Sequence, residues 1–308
     1  MKIAIALGGN ALLRRGEPMT AKNQRVNITC ACEAIANVAK EHTVILSHGN
    51  GPQVGLLSLQ AEAYSEKVEP YPFDILGAES QGMIGYMLVQ ALHNTLPMSN
   101  IVAVITLVAV DKQDPALDDP TKFIGPVYSK EQAEQLRREK GWVIKPDGQF
   151  YRRVVPSPRP TAILEITAIR ALVDNGAIVV AGGGGGVPII VENNHQQGIE
   201  AVIDKDLCCS LLACELNVDR LILVTDVKSV FVDFGKPCAK AIKSANPKAL
   251  HELNFSAGSM GPKVQATCEF VMQTGNKAMI GALEDIELMV KNKAGTLISN
   301  EVSGINYY

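Results

Sequence analysis

The chain has 308 residues, with 29 basic and 32 acidic side chains and a formal net charge of -3. That length is ample for a buried core, and the near-neutral balance gives no broad field to draw nucleic acid or an anionic membrane. The longest apolar run, Ile101 to Val110, is too short to cross a bilayer.

Lys2–Leu7 is short, apolar and β-branched at Ile3 and Ile5, and it stops at Gly8-Gly9-Asn10. Such a run suits a parallel strand buried on both faces. Running straight into glycines is not how a signal peptide ends. The seven cysteines are odd in number and form no Cys-x-x-Cys pair, which reads as small buried hydrophobes in a reducing compartment. A soluble cytoplasmic protein is the expectation.

A helix is expected from about Thr20 to Glu41, with Thr20 as N-cap and Val26, Ala31, Ile35, Val38 and Ala39 as its apolar stripe. Thr43–Ser47 reads as the second strand. It ends at His48-Gly49-Asn50-Gly51-Pro52, where a helix begins with Pro52 in its first turn. Two strand-to-helix turns carrying Gly-Asn place backbone N–H groups where open α/β sheets bind anions. His48 could orient its loop or act as an acid or base.

Helical spacing resumes from Asp74 to Leu96, and Ile101–Val110 reads as a third strand. Asp111–Pro160 is rich in proline and charge and holds the only tryptophan, Trp142, so it reads as an insertion leaving the sheet. Lys122 within it looks like an ordinary surface lysine. Helix is expected at Ile163–Asn175 and strand at Ala177–Ala181, ending in the five glycines Gly182 to Gly186. So costly a run, starting at Gly182 and Gly183, implies a close backbone approach. Ala201-Val202-Ile203-Asp204-Lys205-Asp206 follows, a lysine between two carboxylates at the head of a helical run. Leu221–Thr225, Lys277–Gly281 and Thr296–Ser299 complete the strands, and a glycine-lysine turn runs from Gly258 to Lys263.

No P-loop, dinucleotide fingerprint, protein-kinase triad of motifs, nucleophile elbow or His-Glu-x-x-His pattern occurs. What remains is glycines, asparagines and lysines, a set suited to cradling and moving a phosphoryl group.

Leu7-Gly8-Gly9-Asn10-Ala11-Leu12, His48–Gly55, Ser80–Tyr86, Arg152–Pro158, Ala201–Asp206 and Gly258–Lys263, in order along nearly the whole chain, resemble carbamate kinases of the amino-acid kinase family. The resemblance implies an α/β fold: a three-layer αβα sandwich around a mainly parallel open sheet, with a small protruding subdomain at about 111–160. It implies an acceptor half at about 1–206, a nucleotide half at about 207–308, and a homodimer. The implied reaction is reversible phosphoryl transfer between carbamoyl phosphate and ADP, giving ATP and carbamate, in arginine catabolism. The implied metal is Mg2+ held by the nucleotide phosphates, with no metal site of the protein's own.

Carried over by residue, Gly8, Gly9, Asn10, Gly49, Asn50, Gly51, Gly182 and Gly183 would hold the phosphoryl and carbamoyl groups. Lys205 and Lys263 would neutralise phosphate charge, Asp206 would hold those lysines, and Lys122 would close over the site from the subdomain. Thr225, Asp226, Phe231, Met260 and Gly261 would surround the nucleotide. Lys228 is a departure, standing where an acidic residue is usual. The rival readings are a sibling kinase of acetylglutamate or of purine breakdown, and a nucleotide-binding relative without turnover.

Overall fold

The computed structural model describes residues 1–14, 16–255 and 260–308; the side chain of Asn10, and Gly258 and Ser259 of the second glycine-lysine turn, lie outside that description. Lys2–Leu7 forms β1, and its pleat sends Ile3, Ile5 and Leu7 to one face of a sheet and Ala4 and Ala6 to the other. All five are fully buried, so helices must cover both faces.

In chain order, β1 leads to α1 (Ala21–Ala39), β2 (Thr43–His48), α2 (Gly51–Ala63) and α3 (Phe73–Thr95). Next come β3 (Ile101–Ala103) and β4 (Leu107–Val110), then β5 (Lys122–Tyr128), α4 (Lys130–Lys140), β6 (Ile144–Asp147) and β7 (Phe150–Val155). β8 (Pro160–Ile163), α5 (Ile166–Asp174) and β9 (Ile178–Val180) precede the glycine run, and β10 (Val187–Glu192), β11 (His195–Gly198) and α6 (Lys205–Glu215) follow it. The last part holds β12 (Arg220–Thr225), β13 (Val230–Val232), β14 (Lys240–Ala245), α7 (Pro247–His251), α8 (Met260–Thr274), β15 (Lys277–Ala282), α9 (Ile286–Val290), β16 (Thr296–Ile298) and β17 (Ile305–Tyr307).

The main sheet has the order β13-β14-β16-β15-β12-β1-β2-β9-β3, with β17 beside β14. From β15 to β3 every neighbouring pair is parallel. One face packs on α5, α6 and α8, the other on α1, α3 and α9, giving the expected αβα layers. Thr20 caps α1 by accepting the Asn23 N–H, as its sequence position implies. Val26 is a correction: it is 55% exposed, and the buried stripe runs instead through Gln24, Ile28, Ala31, Ile35 and Val38. Counting in threes and fours from Ile28 excludes position 26.

The expected single strand Ile101–Val110 is two strands in different sheets. β3 stays in the main sheet, while β4 joins a second sheet of order β11-β10-β4-β8. At the break Thr106 is fully buried, and the Gln81 side-chain amide both accepts its N–H (2.9 Å) and donates to its carbonyl (3.2 Å). A glutamine on α3 thus substitutes for a neighbouring strand where the chain changes sheets. The helix expected to begin at Ile163 also starts later, at Ile166, because Ile163 closes β8.

The insertion forms a lobe of three antiparallel strands, β5-β7-β6, with α4 against them. It leaves the body at Lys122 and returns at Val155, which face each other across β5 and β7. The lobe seats on α2 so closely that a Cβ at Gly55 would lie 2.2 Å from the Gly125 Cα. An apolar seam of Val54, Phe73, Leu76, Ile124, Val155 and Val202 continues the contact. Beside it the Arg153 guanidinium sits between Trp142 and Phe73, 4.1 and 4.9 Å from their ring centroids. Of the seven free cysteines, Cys32, Cys208, Cys209 and Cys268 are buried, whereas Cys30 and Cys238 are exposed.

Candidate active site

Register brings the first two glycine turns together. Leu7 of β1 pairs with His48 of β2, so Gly8 and Gly49 leave the sheet side by side, and the Gly49 N–H donates to the Leu7 carbonyl at 3.1 Å. A Cβ at Gly49 would stand 3.5 Å from the Gly9 nitrogen and 3.3 Å from Lys205 Cδ. One at Gly8 would press to 2.9 Å on the Val224 carbonyl, next to Thr225 at the end of β12. The carboxyl ends of three parallel strands and the start of α6 therefore converge. Gly9 and Gly51 face open space on their Cβ sides, leaving room for an anion near the backbone.

The glycine run Gly182–Gly186 lies beneath these turns. A Cβ at Gly183 would fall 2.3 Å from His48 Nε2, one at Gly184 2.1 Å from Asn50 Nδ2, and one at Gly185 2.2 Å from the Ile203 carbonyl. The Gly182 N–H donates to Thr106 Oγ1, and its carbonyl accepts from Ser47 Oγ. Gly182 and Gly183 are buried, so in this conformation they meet the first two glycine turns from below. Asn50 is also buried, and its Nδ2 donates to Ser80 Oγ at 2.8 Å, which orients it from α3.

Three lysines reach this crevice on two carboxylates. Lys205 Nζ lies 2.5 Å from Asp206 Oδ1, and Lys263 Nζ, from α8, lies 3.0 Å from Asp206 Oδ2. Lys122 Nζ, from the lobe, lies 2.5 Å from Asp204 Oδ2. Asp204 Oδ1 also accepts the Asp206 and Leu207 N–H groups and so caps α6. With three cations against two anions, the cluster keeps an excess positive charge at a helix N-terminus.

Burial alone would raise the Asp206 carboxyl, but the ammonium groups of Lys205 and Lys263 override it and hold the group well below the usual carboxylate range. Burial likewise works against the Lys205 ammonium, yet the charge and hydrogen bond of Asp206 lift it above an ordinary lysine. Lys263 moves the other way, lowered by burial and then by the charge of Lys205, with Asp206 only partly offsetting both. Burial works to raise Asp204, but the charge and hydrogen bond of Lys122, joined by the charge of Lys205, bring it below the usual carboxylate value. His48 is fully buried and pushed down to about 4, by desolvation first and by Lys205 second, against the opposing hydrogen bond to the Gly49 carbonyl. That carbonyl can only accept, so Nδ1 of the neutral ring carries the proton.

Among the residues expected around a nucleotide, Thr225 ends β12, Phe231 lies on β13, and Met260 and Gly261 open α8 a few residues before Lys263. Thr225 Oγ1 donates to Asp226 Oδ1 at 3.2 Å. Lys228 is exposed. Asp204 and Ser80 carry no assigned role in the sequence reading, although an aspartate directly before a helix is an N-cap signal; nothing in the chain's order announces its contact with Lys122. Among the described residues no group of three or more His, Cys, Asp or Glu is placed to hold a metal ion.

A family model described as the amino acid kinase family matches residues 1–282. The chain is 56% identical over 310 residues to a carbamate kinase of Haemophilus influenzae, an alignment covering 100% of both. It superposes on the carbamate kinase of Giardia lamblia bound to citric acid with a TM-score of 0.92, at 38% identity over 97% of this chain and 98% of the other. For the same Giardia lamblia enzyme bound to AMP-PNP the TM-score is 0.88, at the same identity and coverage.

Proposed function

The chain belongs to the carbamate kinases of the amino acid kinase family, ATP-dependent phosphotransferases, and on that premise we propose that it transfers a phosphoryl group from carbamoyl phosphate to MgADP, reversibly. The observation that carries this reading is the shared carboxylate: Lys205 and Lys263 meet on Asp206 beside the Gly8 and Gly49 turns.

In the ATP-forming direction a β-phosphate oxygen of ADP bonds to the phosphorus while the bond from phosphorus to the carbamate oxygen breaks. Attacking and leaving oxygens are both anionic, so no proton has to move. A site without a general base suits such a transfer, and a neutral His48 hydrogen-bonded to its own loop fits that absence. Alignment and charge neutralisation remain as the tasks.

Gly8, Gly9, Gly49 and Gly51 offer backbone to the anion, Asn10 and Asn50 hold the carbamoyl and phosphoryl groups, and Lys122 closes over them. Gly182 and Gly183 support these loops from below. Thr225, Asp226, Phe231, Met260 and Gly261 flank the nucleotide. Residues from about 1 to 206 thereby serve the acceptor, those from about 207 to 308 the nucleotide, and the lobe at about 111–160 the closure. Asp204 and Asp206 are bonded to lysines, so Mg2+ would be held by the phosphates of the nucleotide and would supply charge neutralisation there.

We place the reaction in the cytoplasm, forming ATP from carbamoyl phosphate at the end of arginine catabolism. The protein acts as a homodimer, supported by the exposed Val26 on α1 and Ile75 and Tyr86 on α3; light scattering should give twice the chain mass. The deciding assay is ATP formation from MgADP with carbamoyl phosphate, compared with other acyl phosphates. Equal turnover of acetyl phosphate would point to a sibling kinase, and ADP binding without ATP would point to a nucleotide-binding relative.

A further inference from the structure

Asp206 serves Lys205 and Lys263, and the third lysine is served by the other carboxylate on the same helix turn. We infer that Asp204 is the positioning residue for Lys122: it draws the lysine of the lobe onto the first turn of α6 and sets the lobe closed before substrate arrives. The inference deepens the reading above and rests on it.

Three observations carry it. Lys122 is the first residue of β5, where the lobe joins the body, so wherever its ammonium is anchored the lobe is anchored. The anchor is short and partly shielded, at 2.5 Å, with side-chain exposures of 31% for Lys122 and 12% for Asp204. Asp204 itself is immobilised, because its second oxygen accepts the N–H groups of Asp206 and Leu207 at 2.8 and 3.3 Å. A carboxylate fixed to a helix end cannot follow a swinging lysine; the lysine must come to it.

The Gly55–Gly125 contact and the apolar seam permit this closure but do not point Lys122 anywhere. When carbamoyl phosphate binds beside Lys205, Lys122 already stands over the crevice, and the substrate meets a lobe that needs little further ordering.

Asp204→Asn tests this, because asparagine caps a helix about as well as aspartate but lacks the charge that holds the ammonium. Two arms are needed. In the first, substrate-free protein is labelled with an amine-acetylating reagent and the Lys122 peptide is followed by mass spectrometry. Lys122 in Asp204→Asn should react several-fold faster than in the wild type, while the exposed Lys291 of the body is unchanged. In the second, the variant should raise the KM for carbamoyl phosphate about tenfold and lower kcat less. In a Lys122→Ala background it should add less than about twofold, because the two residues act as one unit.

Unchanged labelling of Lys122, or a full additional KM effect without Lys122, overturns the inference. A wild-type protein that forms no ATP sinks the functional reading instead, and the labelling arm still decides the role of Asp204.

Discussion

Asp206 is bonded to two ammonium groups inside the protein, and that single carboxylate makes the site possible. Without it Lys205 and Lys263 would repel each other and burial would strip their charge. A lysine about 4 Å from a phosphate oxygen contributes on the order of 4 kcal/mol at an effective dielectric near 20. Lys205→Ala and Lys263→Ala are therefore each expected to lower kcat by about a hundredfold or more while a cooperative melt persists. Near-normal turnover in both would refute their assignment. His48 gives a second expectation. Its ring stays neutral in the fold down to about pH 4, against an ordinary value of 6.5. Between those values the unfolded chain binds the proton that the folded chain refuses, so stability falls as pH drops through that window. The loss from this one group is about 3 kcal/mol. His48→Asn keeps a donor for the Gly49 carbonyl, and its urea midpoint should fall less than that of the wild type between pH 7 and pH 4.

At the level of elements, α2 is more than a helix following a glycine turn, because its Gly55 is where the lobe touches the body. Alanine there should improve α2 by up to about 1 kcal/mol in helix propensity, yet its methyl group would land on the Gly125 backbone. Gly55→Ala is expected to melt near the wild-type temperature, to expose the lobe to limited proteolysis, and to lose about tenfold in kcat/KM. Unaltered KM and protease resistance would mean that lobe seating does not depend on this contact. Nothing local in the sequence marks Gly55 for this part, because its partner is 70 residues away in the insertion. The same reason hides the break after Ala103: ten residues, all apolar but Thr106, look like one strand until Gln81 of α3 is found bonding to Thr106. Strands ending in glycine were legible because burial on both faces leaves an uninterrupted apolar run, as in β1 and β2. The site was legible wherever residues of one turn act together, as with Lys205 and Asp206, and illegible where tertiary structure makes the pair, as with Lys122 and Asp204.

Across the whole molecule, the pairing of β1 with β12 joins the two halves of the chain, about 1–206 and 207–308, in one continuous sheet. The lobe is different in kind, since its two connections are register partners, Lys122 and Val155. Replacing residues 122–155 by a short Gly-Ser link should therefore leave the body folded. Its melting temperature should drop, because Val54, Phe73, Leu76 and Val202 lose the cover of Ile124 and Val155. ADP binding by calorimetry should persist while ATP formation falls by about a hundredfold or more. Full activity in that variant would remove the lobe from the mechanism.

The five glycines after β9 reach further than the loops they support. Four of them, Gly182 and Gly184 to Gly186, hold positive φ. Around the run stand Cys208 of α6, His48, Asn50, Ile203 and Val108 of β4, one against each glycine in turn. Two sheets and two helices thus take their mutual spacing from a segment with no side chains to compress. Thickening it anywhere would jack apart components that must agree to a fraction of an ångström. The accuracy of the catalyst is fixed by atoms that were left out.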